Sequence, residues 1–102
     1  MTICYNVLKH EEHPNLVLVR IDEEGFVSHI LQDLYKRDVQ SLMVEGGSLT
    51  HKLFFDLHLW DEIRVFTSTR CFGSGIAAQP VKGKLFMNER VMTDNLQIYY
   101  NE

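Results

Sequence analysis

The feature that most constrains this chain is the run Ser41-Leu42-Met43-Val44-Glu45-Gly46-Gly47, an apolar stretch ending in an acid and two glycines and passing directly into a helical pattern. A short apolar run placed after one helix and before a glycine turn fits a buried strand of a parallel sheet. Beyond it Leu49, Leu53, Phe54 and Leu57 recur at helical spacing as the expected buried stripe, with Gly47 or Ser48 as the cap. Asp61 to Ser68 alternates, with Ile63, Val65 and Thr67 opposite Arg64 and Phe66, and predicts a strand. A helix between two strands is a crossover unit, so the pattern predicts parallel pairing with a right-handed connection.

The flanks carry more of the same. Thr2 to Leu8 and Leu16 to Ile21 read as strands joined by a polar loop, Lys9 to Asn15. From Glu23 onward Phe26, Ile30, Leu31, Leu34 and Tyr35 recur every three or four residues. Acids at the front and Lys36 and Arg37 at the end complement the helix dipole. Cys71 to Gly83 reads as a long irregular loop, and Lys84 to Met87 and Asn95 to Tyr100 as the last two strands, with Met92 to Asn95 an irregular connection. The expected fold is α/β, a mainly parallel sheet flanked by helices, in one domain spanning all 102 residues.

The Glu-Gly-Gly turn is where chemistry is expected. A strand entering a helix there presents unpaired main-chain N–H groups at the positive end of the helix dipole, a natural seat for phosphate. Glycines admit a left-handed backbone and let a bulky anion approach the chain. The competing reading is a tight connection with no ligand. Gly73-Ser74-Gly75 leaves the same pair of readings open.

Other features narrow the function. No apolar stretch approaches the roughly 20 residues that cross a bilayer, and the amino terminus lacks a signal-peptide plan, so a cytoplasmic protein without a membrane partner is expected. The formal charge of −4 and the lack of a basic run argue against nucleic acid. Cys4 and Cys71 read as small buried hydrophobes in a reducing compartment. His10-Glu11-Glu12-His13 reads as solvated loop, and no metal site is expected. Trp60 is expected to anchor packing, with an interface role as the alternative, and His51 and His58 to lie on the surface. Phe86, Met87, Tyr99 and Tyr100 near an open sheet edge point to a homodimer.

The blocks Ser41-Leu42-Met43-Val44-Glu45-Gly46-Gly47 and Leu59-Trp60-Asp61-Glu62-Ile63-Arg64-Val65, in that order and spacing, resemble the reductase domain of bacterial bifunctional riboflavin-biosynthesis deaminase-reductases. The resemblance runs from about Asn6 to Gly83. It implies a dihydrofolate reductase-like fold and NADPH-dependent reduction of a ribosylaminopyrimidine phosphate to its ribityl product. By the same resemblance Glu45 contacts substrate, while Gly46, Gly47, Ser48, Leu49 and Thr50 bind the cofactor; no residue is assigned a catalytic role. Complete domains of that family are about twice as long. The chain is therefore expected to be their carboxy-terminal portion, without the amino-terminal residues that grip the substrate phosphate and without a deaminase zinc site, and to be inactive alone. A non-catalytic nucleotide-binding module and a self-associating scaffold are the competing functions.

Overall fold

The computed structural model describes residues 1–101. Its main chain gathers into two compact units, residues 1–43 and the residues from Val44 onward.

In the first unit β1 (Thr2–Asn6), β2 (Glu11–His13) and β3 (Leu16–Arg20) form a sheet in the order β1-β3-β2, followed by helix α1 (Phe26–Lys36). β1 runs parallel to β3, from Thr2 opposite Leu16 to Asn6 opposite Arg20, and β2 pairs with β3 antiparallel. The expected loop from Lys9 to Asn15 thus contains a short strand, because Pro14-Asn15 reverses the chain and lays Glu11 to His13 along the open edge of β3. Central position makes β3 the seat of the core: Val17 and Val19 are buried, with Val27 of α1. The helix periodicity holds except at Tyr35, which is exposed.

Both cysteines are exposed, against expectation. Side chains alternate across a strand. Ile3 and Tyr5 share the better-covered face of β1, which leaves Cys4 on the other; Cys71 lies in the loop after β4.

In the second unit α2 (Ser48–Asp56) precedes β4 (Glu62–Thr67), β5 (Lys84–Val91) and β6 (Asp94–Tyr100), which form a sheet in the order β4-β6-β5. Every pairing in it is antiparallel. This corrects the expected mainly parallel sheet, in which only the β1–β3 pair is parallel. Ser41 to Val44 joins no strand ladder, so the predicted crossover through α2 does not form. β4 pairs instead with β6, which a tight hairpin has already laid beside β5. That hairpin turns on Met92-Thr93, with Met92 at φ 55°, so β5 continues four residues past its expected end at Met87.

Both helices stop in the same way. After α1 the N–H groups of Asp38 and Val39 donate to the carbonyls of Tyr35 and Leu34, and after α2 those of His58 and Leu59 donate to Phe55 and Phe54. This is the Schellman closure, with Asp38 and His58 in the left-handed position usually held by glycine. The α2 stripe departs from expectation: Leu49, Leu53 and Leu57 are 77%, 48% and 50% exposed, and only Phe54 is half-buried. No strand of a parallel layer lies beneath them, since Ser41 to Val44 did not form one.

Trp60 anchors packing as expected, half-buried with its ring 6.0 Å from that of Phe55. Asn101 fastens the same corner, its Nδ2 donating to the Trp60 carbonyl at 2.8 Å. Gly83 sits beneath it at φ 120°, where a Cβ would stand 2.7 Å from the Tyr100 carbonyl oxygen and 2.8 Å from the indole.

A polar contact ties β1 to α1. Asp33 Oδ2 accepts from the Tyr5 hydroxyl at 2.7 Å and from Arg37 Nε at 2.8 Å. Burial first, and then the bond to Asp33, push the Tyr5 hydroxyl up to about 12. The Tyr5 bond holds the Asp33 carboxyl below its ordinary range, reinforced by Arg37 against the effect of burial.

Gly83→Ala should destabilise the protein by about 3 kcal/mol in urea denaturation, through both clash and backbone strain. The Asp33 contribution should be complete above about pH 4 and lost as pH falls through the depressed folded value, whereas the Tyr5 contribution should be complete below about pH 10 and lost as pH rises toward 12. Urea midpoints measured across pH check both limbs. Tyr5→Phe should cost about 1 kcal/mol at neutral pH and blunt the alkaline limb.

Candidate functional site

The Glu45-Gly46-Gly47 turn enters α2 as the sequence predicts, at Ser48. The two glycines have different tasks. Gly46 lies at φ 134°, open to glycine and strained for other residues, whereas Gly47 is the N-cap at φ −74° and ψ −160°, an extended backbone any residue adopts. The left-handed requirement expected of the pair therefore belongs to Gly46 alone. A Cβ at Gly47 would meet nothing within 4 Å, so its missing side chain leaves open space beside the helix end. The Gly46–Gly47 peptide bond is cis.

No side chain caps α2. The N–H of His51 donates to the Gly47 carbonyl at 3.0 Å and closes the first turn. The N–H groups of Ser48, Leu49 and Thr50 come before any intrahelical partner exists for them, so they face outward with the positive end of the dipole.

Ser48 does something the sequence did not suggest. Its hydroxyl donates to the Ala77 carbonyl at 3.0 Å and accepts from Gln79 Nε2 at 2.7 Å. One side chain thus ties the long loop to the start of α2. With its proton given to Ala77 and an amide already bonded to its oxygen, the hydroxyl is largely used within the protein; what Ser48 offers a ligand is its main-chain N–H. Gln79, one of the few loop side chains that is not exposed, carried no sequence signal beyond its place between Gly75 and Pro80.

His51, expected on the surface, is half-buried and braces the turn. Its Nε2 lies 3.1 Å from the Val44 carbonyl oxygen and its ring stacks on Phe55 at 6.2 Å. A carbonyl only accepts, so this contact requires the proton on Nε2. Spacing hid the role: His51 and His58 share a face by period, but only His51 lies one turn above the glycines. His58, in the helix-closing turn, is exposed.

Of the sequence-predicted site residues, Glu45, Gly46, Gly47 and Leu49 are exposed, and Ser48 and Thr50 half-buried. Glu45 has no ion-pair or side-chain hydrogen-bond partner among the described residues. The elements bring together the turn, the uncapped first turn of α2 and the Ala77 to Gln79 segment. His10 to His13 is exposed or half-buried, pairing as Lys9–Glu11 at 3.1 Å, Glu11–His13 at 3.2 Å and His10–Glu12 at 3.6 Å. Gly73-Ser74-Gly75 is exposed, with both glycines at positive φ, as a turn requires. No helix is long and apolar enough to cross a membrane among the described residues.

Comparison with known protein families matches residues 5–99 to the model of the RibD C-terminal domain. No curated protein and no solved structure matches the chain.

Ser48→Ala should remove both hydrogen bonds of the strap and cost about 1–2 kcal/mol. Amide exchange at Ala77 and Gln79 should accelerate while exchange in β6 stays unchanged. Unaltered protection at Ala77 and Gln79 would show that the strap does not hold the loop.

Proposed function

The chain belongs to the RibD C-terminal domain family, which makes it a reductase-type domain of riboflavin biosynthesis; on that footing we propose that it binds NADPH at the Glu45 to Thr50 turn and serves the reduction of a ribosylaminopyrimidine phosphate. The observation that carries this reading is the uncapped amino end of α2 beside a glycine with open space about its Cα. An anion meets there three unshared N–H donors, the dipole of a two-and-a-half-turn helix, and open space where a Gly47 side chain would stand.

The donor set fits a pyrophosphate. The main-chain N–H groups of Ser48, Leu49 and Thr50 would hold it, and Gly47 would let it approach. NADPH supplies a hydride when bound. The chain's own residues position: Gly46 supplies the positive φ of the turn, His51 holds the Val44 carbonyl and so the segment entering the turn, and Gln79 and Ser48 keep the loop beside it. Glu45, exposed and unpaired, is free to accept hydrogen bonds from the N–H or O–H groups of the pyrimidine substrate.

Partner and compartment belong to the same reading. The exposed Leu49, Leu53 and Leu57 support a homodimer, and they equally favour the self-associating module as the second reading. A cytoplasmic enzyme is proposed, the compartment of its nucleotide substrate and cofactor.

Calorimetric titration with NADPH, and with NADH as control, tests the site. Saturable binding of NADPH is expected. Gly47→Val should leave the fold intact, since its backbone is ordinary and nothing crowds it, yet weaken NADPH by about tenfold or more by blocking the anion's approach. Glu45→Gln should leave NADPH affinity nearly unchanged and abolish turnover in an active assembly. NADPH affinity indifferent to Gly47→Val would refute the turn's role, and equal loss of binding and turnover in Glu45→Gln would refute the assignment of Glu45 to substrate.

A further inference from the structure

The brace on the glycine turn is made by an ionisable ring. His51 stands in the first turn of α2, with Nε2 3.1 Å from the Val44 carbonyl oxygen and the ring stacked on Phe55 at 6.2 Å. Its Cε1, the carbon between the two ring nitrogens, would lie 3.7 Å from a Cβ on Gly46, so that edge of the imidazole faces the turn. Nδ1, on the other side of the same carbon, has no hydrogen-bond partner among the described residues.

The Val44 contact decides which nitrogen titrates. A carbonyl only accepts, so Nε2 carries the proton of the neutral ring and Nδ1 is bare. A second proton therefore goes to Nδ1 and leaves the Nε2 donor in place. The ring gains its charge without releasing the turn, and geometry and charge are carried by different nitrogens.

The groups around the ring are otherwise constant in charge. On the turn, Glu45 precedes Gly46 and is exposed. On α2 the neighbouring Lys52 is engaged by Asp56, and the aromatic rings behind His51, Phe55 and then Trp60, are uncharged. The loop segment strapped to Ser48, Ala77 to Gln79, carries no charge. Carboxylates and ammonium groups hold their charge between about pH 6 and 8, whereas imidazoles change theirs.

We propose that His51 is a positioning residue for the anionic ligand of this turn and couples its binding to pH. The Nε2 donor holds the turn, and a proton on Nδ1 adds positive charge beside the unshared N–H groups of Ser48, Leu49 and Thr50. The ligand therefore binds more tightly as pH falls through the imidazole range, and binding takes up protons in proportion. This inference rests on the reading of the turn as a pyrophosphate site.

The test is calorimetric titration of the whole chain with NADPH at about pH 6 and about pH 8, using wild type, His51→Gln, His51→Ala and His58→Asn. Titration of the ligand's own phosphates is common to all four proteins and cancels in their ratios. Relative to His51→Gln, the wild type should gain about three- to tenfold in affinity at the lower pH, the effect of one unit charge acting across several ångströms of wet surface. His51→Gln, whose amide still donates to the Val44 carbonyl, should match the wild type at the higher pH, while His51→Ala should bind more weakly at both. His58→Asn, at the far end of α2 in a left-handed backbone that Asn tolerates, should keep the wild-type dependence. Ring nitrogen NMR of the ligand-free wild type at the higher pH should find Nε2 protonated and Nδ1 bare, a readout independent of NADPH. The same pH dependence in wild type and His51→Gln, equal weakening by Gln and Ala, or a neutral ring protonated at Nδ1 would each overturn the proposal and leave the site reading standing. No saturable NADPH binding at either pH would overturn both.

Discussion

Each unit depends on one central strand, and the rest of its structure follows from what that strand can cover. β3 carries Val17 and Val19, and β6 carries Ile98; with Val27 these are the buried apolar side chains among the described residues. So small a buried set means that main-chain ladders carry much of the order. A ladder holds register through paired N–H and carbonyl groups and needs no deep core, but it contributes little apolar burial. Elements remote from the central strands, such as the leucine face of α2, are left in water.

The glycine turn shows how a site is assembled under that constraint. Few side chains are buried, so the turn is held by polar contacts from its own neighbourhood: His51 from the next turn of the helix onto Val44, and Gln79 and Ala77 from the loop onto Ser48. This division of labour leaves main-chain donors free. Side chains that would ordinarily cap α2 are occupied or absent, and the helix end stays open toward solvent, the condition an anionic ligand requires.

Much of this was legible in the sequence, and the misreadings share a cause. The Glu-Gly-Gly turn, both helices and the strand from Glu62 to Thr67 follow from local pattern: glycines at a junction, apolar residues every three or four, alternation along a strand. Partner choice is not local. Ser41 to Val44 has the composition of a buried strand, but an apolar run becomes a strand only by pairing with the edge of another, and this run joins neither sheet. The parallel sheet inferred from it failed with it. Glu11 to His13 is too polar and short to announce itself, and becomes β2 because β3 has an edge to fill. Met92-Thr93 lacks the glycine or asparagine that usually signals a hairpin, so the full length of β5 was hidden. The Ser48–Gln79 bond joins residues 31 apart, beyond the reach of any periodicity.

The order β4-β6-β5 has a kinetic corollary. β5 and β6 are joined by two residues, and hairpins of that kind close within about 1–10 μs. β4 reaches the same sheet only after the long loop between Thr67 and Lys84 has closed, and it pairs with β6, not with the strand nearest in sequence. Loop closure of that length is entropically slower and brings no ladder bond until it is complete. As the chain emerges from synthesis β4 therefore appears first and is satisfied last. For that interval Glu62 to Thr67 is a bare strand waiting for residues not yet made, and its alternating charges, Glu62 and Arg64, are well placed to discourage pairing with the same strand of another nascent chain.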